Sequence, residues 1–161
     1  MASRARARRR PPAPTPRVRD MVAEDVPEVL TIERDSYPTP WPRQMFLDEI
    51  ARRGSVCLVA QVGEQIVGYT VAATYAEVWH ILNVCVRPGR RRSGHAERLL
   101  HALFARGDGH AHRGYTLEVR VSNTAAIALY GGIGFISHGV RPGYYSDNRE
   151  DALIMWRGGE P

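Results

Sequence analysis

The sequence predicts one α/β domain of the α+β kind, in which about four helices flank a mixed, largely antiparallel sheet of seven strands. Three β-rich runs follow one another between residues 55 and 86 with only short turns between them, which is typical of antiparallel neighbours. An amphipathic helix then separates this group from the next β-rich run, which indicates one parallel crossover at the centre of the sheet. The predicted order is βααβββαβαββ.

The individual elements are predicted from periodicity and from the residues that interrupt it. Prolines between Tyr37 and Pro42 separate the first two helices, because each proline fixes φ and lacks a backbone donor. Residues 63–65 form a hairpin turn, and the glycines at 107, 109 and 114 mark a loop. The predicted elements are, in order, strand 17–21, helix 23–36, a helix to about 52, strands 55–62, 66–75 and 77–86, a helix to about 106, strand 115–121, helix 123–132, and strands 136–140 and 151–156.

Positive charge is concentrated at the start of the chain. The formal net charge is +5, but residues 1–19 hold seven arginines and no acidic residue, and the rest of the chain holds 15 basic and 17 acidic residues. Residues 1–16 are almost entirely Arg, Ala and Pro, a composition that cannot bury a core. We therefore expect a disordered arm over residues 1–16, a folded domain over 17–157 and a short tail over 158–161.

The arm is open to three interpretations. It could make weak RNA contacts through phosphate groups, or it could be an inert, solvated extension. An organelle transit peptide is also rich in arginine and poor in acidic residues, but the repeated prolines oppose the amphipathic helix that such a peptide forms.

Length and composition exclude several classes of protein. A chain of 161 residues with 43% apolar content is long enough for one core. No apolar run approaches the roughly 18 residues of a membrane span, and no secretory signal is evident, so we expect a cytoplasmic protein with no membrane partner. Cys57 and Cys85 have neither disulfide nor zinc spacing, and the six histidines form no ligand pattern. We expect buried cysteines and no metal.

The segment 84–96 runs from an apolar strand through a turn with three arginines into an amphipathic helix. Residues 96, 99, 100 and 103 are apolar at helical spacing, which places Gly94 at the helix N-terminus. The first N–H groups of a helix lack intrahelical partners and its dipole is positive there, so a phosphate is stabilised. From spacing alone, an ordinary turn explains this glycine equally well.

Longer motifs identify a family. Residues 91–96 have the form Arg-x-x-Gly-x-Ala, and residues 117–130 are LEVRVSNTAAIALY, followed by Gly134-Phe135, Tyr144-Tyr145 and residues 149–152, REDA. From about residue 17 to 157 the chain resembles the GNAT superfamily of N-acetyltransferases, and within it the bacterial branch that acetylates the N-terminal alanine of a small-subunit ribosomal protein. The resemblance implies acetyl-CoA as cosubstrate and a ribosomal-protein N-terminus as acceptor.

The resemblance also implies which residues form the site. The general base of the family falls on Glu118, its general acid on Tyr130 and its coenzyme-contacting asparagine on Asn123. The turn after the strand would bind the pyrophosphate, and the free strand edge would pair with the pantetheine arm. The expected coenzyme-binding residues are Val84, Cys85, Val86, Arg91, Arg92, Ser93, Gly94, His95, Ala96, Glu97 and Asn123. His95 departs from the aliphatic residue that is common there, which is expected to alter coenzyme affinity.

The chemistry of Glu118 can be argued from the residues themselves. A protein α-amine has a pKa near 8, so about a tenth of it is already neutral at pH 7, and a carboxylate suffices to take its proton. Strand alternation predicts one face with Leu117, Val119 and Val121 and an opposite face with Glu118 and Arg120. The competing interpretation is a surface glutamate paired with Arg120.

Tyr130 and Asn123 lie on the same predicted helix. A departing CoA thiolate needs a proton, and a phenol with a pKa near 10 can donate one when it is well positioned. Tyr130 is therefore the predicted general acid, and its competing interpretation is a core aromatic residue. Asn123 is predicted to cap the helix.

Two aromatic pairs are the predicted walls for an acceptor peptide. One wall is the segment from Glu33 to Trp41, in which prolines hold Tyr37 and Trp41 in a rigid turn, and the other is the loop of Gly143, Tyr144 and Tyr145. Both pairs could instead be packing residues. Three functions stay open: the ribosomal-protein acetyltransferase, a GNAT enzyme for a small amine or another protein terminus, and a catalytically silent CoA-binding or RNA-binding module.

Overall fold

The structure, a computed structural model, describes residues 14–110 and 112–159. The predicted arm therefore lies almost wholly outside the described residues, and so does half of the predicted tail. The elements are β1 (Arg17–Asp20), α1 (Val26–Ser36), α2 (Arg43–Ala51), β2 (Ser55–Val62), β3 (Gln65–Tyr75), β4 (Val78–Val86), α3 (His95–Gly107), β5 (Gly114–Arg120), α4 (Thr124–Gly132), β6 (Ile136–Arg141) and β7 (Ala152–Arg157).

The seven strands form one sheet in the order β1-β2-β3-β4-β5-β7-β6. Strands β4 and β5 pair in parallel, and the other five neighbouring pairs are antiparallel. The parallel pair is joined through α3, because parallel neighbours need a crossover connection. The mixed, largely antiparallel sheet and the order βααβββαβαββ are thus confirmed.

Helices cover both faces of the sheet, and alternate residues of β2 pack against the helices on one face or the other. Leu58 and Ala60 belong to one core cluster, which also contains the buried leucines of α3. Cys57 and Val59 belong to the other, which contains the apolar residues of α1 and Phe46 of α2. Successive side chains of a strand point to opposite faces, so one strand contributes to both cores. Strands β4 and β5 are internal strands of this sheet, so their ends lie between the helices that cover its two faces.

The α3 helix buries its predicted apolar stripe. Leu99, Leu100 and Leu103 are fully buried and Phe104 is nearly so. Burial of a leucine side chain contributes about 2 kcal/mol relative to exposure, so this stripe fixes the helix, and with it the preceding turn, against the sheet.

Local differences from the predicted elements have physical causes. The first helix begins at Val26 rather than residue 23, and residues 23–25 form a 3-10 turn. Asp25 stabilises this turn, because its carboxylate accepts the backbone N–H of Val22 at 2.8 Å. The predicted apolar face of β5 is correct for Leu117 and Val119 but wrong for Val121, which is 42% exposed. The strand ends before Val121, since the N–H of Asn123 donates to the carbonyl of Arg120 and starts a turn.

Both cysteines are buried, as predicted. None of the helices in the described ranges has the length and apolar content that a bilayer crossing requires.

Candidate active site

The site lies where two parallel strands separate. Strands β4 and β5 pair over three residue pairs, from Val78 with Gly114 to His80 with Thr116. Beyond these pairs a cavity of about 480 Å³ opens, with residues 81–84 of β4 on one side and residues 117–120 of β5 on the other. An open, splayed strand edge of this kind offers backbone donors and acceptors to an extended ligand.

A β-bulge shapes the β4 side of the cavity. Val71 of β3 pairs with Asn83, and the next residue, Ala72, pairs with Ile81, so Leu82 is the extra residue. Leu82 is 37% exposed and lines the cavity. The bulge therefore lies in the cavity wall, beyond the last residue pair of β4 and β5.

Glu118 lines the cavity from β5 and contacts a cation across the sheet. Its Oε1 lies 3.3 Å from Nε of Arg141, which is on the edge strand β6. Burial raises the pKa of Tyr144, and the nearby Glu118 adds to this effect. Burial also lowers the pKa of His80, partly opposed by Glu118, so this imidazole is neutral at pH 7. Glu118 thus lies among a guanidinium, a phenol and a neutral imidazole.

Arg120 is paired elsewhere. Its guanidinium donates to Asp147 at 2.9 Å and to Glu150 at 3.3 Å, and it stacks over the ring of Tyr145 at 3.9 Å from the centroid. The alternative interpretation of Glu118, a surface pair with Arg120, is therefore wrong. The reason is that β7 lies beside β5, and the loop before β7 carries the carboxylates that Arg120 contacts.

Tyr130 lines the cavity from α4 and is 9% exposed. Its ring packs at 5.8 Å from that of Phe135, in an edge arrangement. Burial raises the pKa of Tyr130 to about 12, so its hydroxyl holds its proton throughout the neutral range. Tyr130 therefore packs its ring in the core and also lines the cavity, as both of its predicted interpretations require. Asn123 caps the helix as predicted, because its side chain accepts the N–H of Ala126 at 3.2 Å, and it also lines the cavity.

All four aromatic residues predicted for the acceptor line the same cavity. Tyr37 lies at the β4 wall, and its hydroxyl donates to the carbonyl of Val84 at 2.9 Å. That carbonyl therefore already has a hydrogen-bond donor from the loop between α1 and α2. Tyr144 and Tyr145 stack edge to face at 5.2 Å on the opposite wall. Tyr37 is thus held at β4, and Tyr145 is held at β5 by the guanidinium of Arg120.

The arginine-rich turn ends in a helix N-terminus, as predicted. Gly94 is the N-cap of α3 with φ of 78°, and no described side chain caps this helix. A Cβ at this glycine would meet nothing within 4 Å, so the glycine is required by its left-handed backbone rather than by crowding. The first N–H groups of α3, those of His95, Ala96 and Glu97, are the ones left without intrahelical partners. Groups of this kind at a helix N-terminus are able to bind an anion such as a phosphate.

The side chains of the turn divide into two groups. Arg91 folds back onto the end of β4, where it donates to the carbonyl of Val86 and to the hydroxyl of Ser36, both at 3.1 Å. Arg92 and Ser93 are exposed, and Arg92 has a positive φ of 60°. Arg92 thus adds positive potential beside the helix N-terminus, and Arg91 fixes the turn.

His95 and Cys85 have their side chains inside the protein. His95 is 7% exposed, and its Nδ1 has no hydrogen-bond partner among the described residues. Burial lowers the pKa of His95, with nearby Arg90 and Arg98 adding to the effect. Cys85 and Val86 are also buried, and neither of them lines the cavity, although both were predicted to bind the coenzyme.

Glu33, His80 and Arg141 were not named as site residues, although Glu33 begins the segment 33–41 that was predicted as an acceptor wall. Glu33 lines the cavity, and its spacing of four from Val29 and seven from Val26 places it on the buried stripe of α1. This acidic residue on an apolar stripe was a detectable signal. His80 and Arg141 gave no local signal, because their relation to Glu118 depends on the strand order. In the described part of the chain, no three His, Cys, Asp or Glu side chains form a group that would hold a metal ion.

Comparisons with known proteins agree with this geometry. The acetyltransferase (GNAT) family matches residues 26–135. The [ribosomal protein bS18]-alanine N-acetyltransferase of Escherichia coli K12 is 32% identical over 133 residues, covering 81% of this chain and 89% of that protein. An N-alpha-acetyltransferase of Saccharolobus solfataricus is 32% identical over 154 residues, with 87% and 91% covered. The crystal structure of the Escherichia coli ribosomal-protein-S18-alanine N-acetyltransferase superposes with a TM-score of 0.81 at 27% identity, over 88% of this chain and 92% of that one.

The matched region contains β4, the Gly94 turn, Glu118 and Tyr130 and covers more than half of the chain. The chain therefore belongs to the GNAT family of acetyltransferases and is an acetyl-CoA-dependent N-acyltransferase.

Proposed function

We propose that this enzyme acetylates the α-amine of a protein N-terminus, and more narrowly the N-terminal alanine of a ribosomal protein. The observation that carries the proposal is that Glu118 and Tyr130 line one cavity, together with the aromatic residues Tyr37, Trp41, Tyr144 and Tyr145. An acid and a base in one pocket suit proton removal from an amine and proton delivery to a thiolate. Relatives named for alanine N-terminal and N-alpha acetylation support the choice of acceptor.

The residues around the splayed strands fit acetyl-CoA. The N–H groups at the start of α3 would hold the pyrophosphate, together with the exposed Arg92. The bulged backbone of β4 would hold the pantetheine arm, and Asn123 lies at the far side of the same cavity. When bound there, the thioester supplies an activated acetyl carbon. The enzyme then has to present a neutral amine to that carbon and to protonate the sulfur that leaves.

Glu118 is the proposed general base. It accepts the proton that the amine nitrogen loses as the new nitrogen–carbon bond forms. Its carboxylate lies 3.3 Å from the Arg141 guanidinium, which holds it at the cavity. Since an α-amine is partly neutral near pH 7 and a lysine amine is almost wholly protonated, the work required of Glu118 is smallest for an N-terminus.

Tyr130 is the proposed general acid. As the carbon–sulfur bond breaks, its hydroxyl donates a proton to the departing thiolate, and the tyrosinate regains this proton from solvent. The phenol is present in its protonated form because its pKa is raised to about 12 by burial. A donor of such high pKa is effective only when it is held at the sulfur, and α4 provides that rigidity.

The acceptor peptide is proposed to enter between the two aromatic pairs. Tyr37 and Trp41 form one wall and Tyr144 and Tyr145 the other. Aromatic faces contact a peptide backbone without selecting a particular side chain. The choice between different acceptors would then depend on the acceptor amine itself and on the space beside it in the cavity.

Acceptor assays test the proposal. The purified chain is incubated with acetyl-CoA and peptides that begin with Ala, Ser or Met, beside a peptide with an internal lysine and a polyamine. We expect thiol release and a gain of one acetyl group on the alanine peptide first. Preference for the polyamine would establish a small-amine acetyltransferase instead, and absence of turnover with every amine would contradict both activities.

The domain limits and the arm are further parts of the proposal. We place the catalytic domain at residues 17–157 in the cytoplasm, where ribosomal proteins are made. The arginines of residues 1–16 would make weak, salt-sensitive contacts with RNA. Deletion of these residues is expected to leave peptide acetylation unchanged and to remove salt-sensitive RNA binding. If the deletion leaves RNA binding intact, the arm has no such role.

A further inference from the structure

Glu33 is a buried carboxylate that the proposed reaction does not use. It lies on α1, is 1% exposed and lines the cavity. Its Oε1 accepts the backbone N–H of Trp41 at 3.0 Å, and its Oε2 accepts Nδ2 of Asn83 at 3.0 Å and the hydroxyl of Tyr69. Three donors from a loop and two strands thus converge on one side chain.

Glu33 holds both ends of the loop that carries the acceptor wall. The carbonyl of Glu33 accepts the N–H of Tyr37 at 3.0 Å, where α1 ends, and its carboxylate accepts the N–H of Trp41 four residues later. Prolines at 38, 40 and 42 have no N–H, so this loop has few backbone donors with which to fix itself. Its conformation therefore depends strongly on the bond from Trp41 to Glu33.

The same carboxylate connects the loop to the bulged strand. Asn83 is next to Leu82, the extra residue of the β4 bulge. The carbonyl of Asn83 is held from the other side by the hydroxyl of Thr70 at 3.1 Å. The loop has a second bond to β4 through Tyr37 and the carbonyl of Val84. The acceptor wall and the strand that faces the coenzyme are thereby fixed relative to each other.

We infer that Glu33 is a positioning residue for the acceptor, because it fixes the wall formed by Tyr37 and Trp41 at a set distance from the bulge of β4. The inference rests on the proposed function. Glu33 contacts the wall and the strand, and it takes no part in proton transfer. Loss of this anchor would reduce acceptor binding and leave the binding of acetyl-CoA to the turn at Gly94 intact.

Glu33→Gln is the direct test. A glutamine has one acceptor oxygen and one NH₂ donor, so at least one of the three converging donors loses its partner in a buried place. We expect the KM for an alanine-terminated peptide to rise about tenfold. We expect kcat at saturating peptide and the KM for acetyl-CoA to change less than about twofold. A role in folding alone would lower the Tm and leave the ratio of the two KM values unchanged.

Glu28→Gln is the matched control. Glu28 is on the same helix and also bonds to the sheet, since it accepts the N–H of Ile66 at 2.9 Å and Nη2 of Arg87 at 3.0 Å. It does not line the cavity. The Glu28 variant is therefore expected to lower the Tm while both KM values stay at the wild-type level.

Glu33→Asp covers the case in which the glutamine variant fails to fold. It keeps two acceptor oxygens but is one methylene too short to span Trp41 and Asn83, so the same rise in peptide KM is expected. A wild-type KM for the peptide in a folded Glu33 variant would overturn the inference, and so would failure of both variants to fold. A wild-type enzyme that acetylates no N-terminus would instead overturn the proposed function.

Discussion

Nε of Arg141 lies 3.3 Å from Oε1 of Glu118, so an edge strand supplies the counter-charge of the proposed base. The arginine side chain is 57% exposed and the glutamate side chain 31% exposed. Both side chains are therefore reachable from solvent, and Tyr144, beside which the acceptor is proposed to enter, is close to Glu118. An amine that approaches Glu118 meets a cation there, which opposes an ammonium group and favours a neutral amine.

Arg141→Gln tests two effects of this pair, the repulsion of a protonated acceptor and the restraint on the Glu118 carboxylate. Loss of the guanidinium removes the repulsion toward a protonated acceptor, so the KM for the peptide is expected to fall two- to fivefold. Loss of the contact also frees the carboxylate to rotate, so kcat is expected to fall by a similar factor. Steady-state kinetics with an alanine-terminated peptide measure both. Arg141→Lys, which keeps the charge, should retain more of the wild-type kcat, and unchanged constants in the glutamine variant would show that the pair has no role.

Tyr130→Phe removes the proposed acid and retains the ring in the core. We expect kcat to fall at least tenfold, because general acid catalysis contributes on the order of 10²-fold or more. The Tm should change little, since the ring still packs on Phe135. Because the pKa of Tyr130 is about 12, wild-type kcat should show no loss from this group between pH 7 and 10. Normal turnover by a folded variant that binds CoA would assign Tyr130 to packing alone.

Gly94→Ala tests the anion site, and Gly63→Ala is its control. Both glycines have a positive φ, of 78° and 60°, and neither has a heavy atom within 4 Å of an added Cβ. Each substitution is expected to destabilise the fold by about 1 kcal/mol through backbone strain. Gly94 opens α3, whereas Gly63 lies in the hairpin between β2 and β3. Calorimetric titration should show weaker acetyl-CoA binding for Gly94→Ala only, and equal affinities would place the phosphates elsewhere.

The pair of Arg19 and Asp25 makes stability depend on pH. Arg19 donates to both carboxylate oxygens at 2.7 and 2.8 Å, and this contact is the largest cause that lowers the pKa of Asp25. A lowered pKa means that the stabilisation is complete above the unfolded pKa near 3.8 and is lost as pH falls through the folded value. Asp25→Asn should lower the free energy of unfolding by about 2 kcal/mol at pH 7. In urea unfolding the difference from wild type should shrink below pH 4, and a constant difference would contradict this account.

Local sequence was sufficient for most of the fold. The alternation in β2 and the leucine spacing of α3 predict those elements directly, because each pattern shows which residues of the element are buried against its neighbours. Asn123 was predicted as an N-cap from its position alone. Val121 was misplaced because alternation does not reveal where a strand stops, and that end depends on a turn closed by Arg120 and Asn123.

The candidate site was less accessible from sequence. Glu118 and Tyr130 were identified by resemblance, and their common cavity follows from the crossover of α3. The pair of Glu118 and Arg141 was not predictable, because β7 lies between β5 and β6 in the sheet, so the two residues are 23 positions apart on strands that are not neighbours. The bulge at Leu82 likewise depends on how β4 pairs with β3, which no local pattern of apolar residues reports.

Intact mass spectrometry of ribosomal proteins tests the central claim most directly. A strain that lacks this gene is compared with the same strain carrying the wild-type gene or a Glu118→Gln variant. The account predicts that one small-subunit protein with N-terminal alanine is lighter by one acetyl group in the deletion strain. The wild-type gene should restore the mass, and the Glu118→Gln gene should not. Unchanged masses in the deletion strain, or full restoration by the variant, would contradict the account.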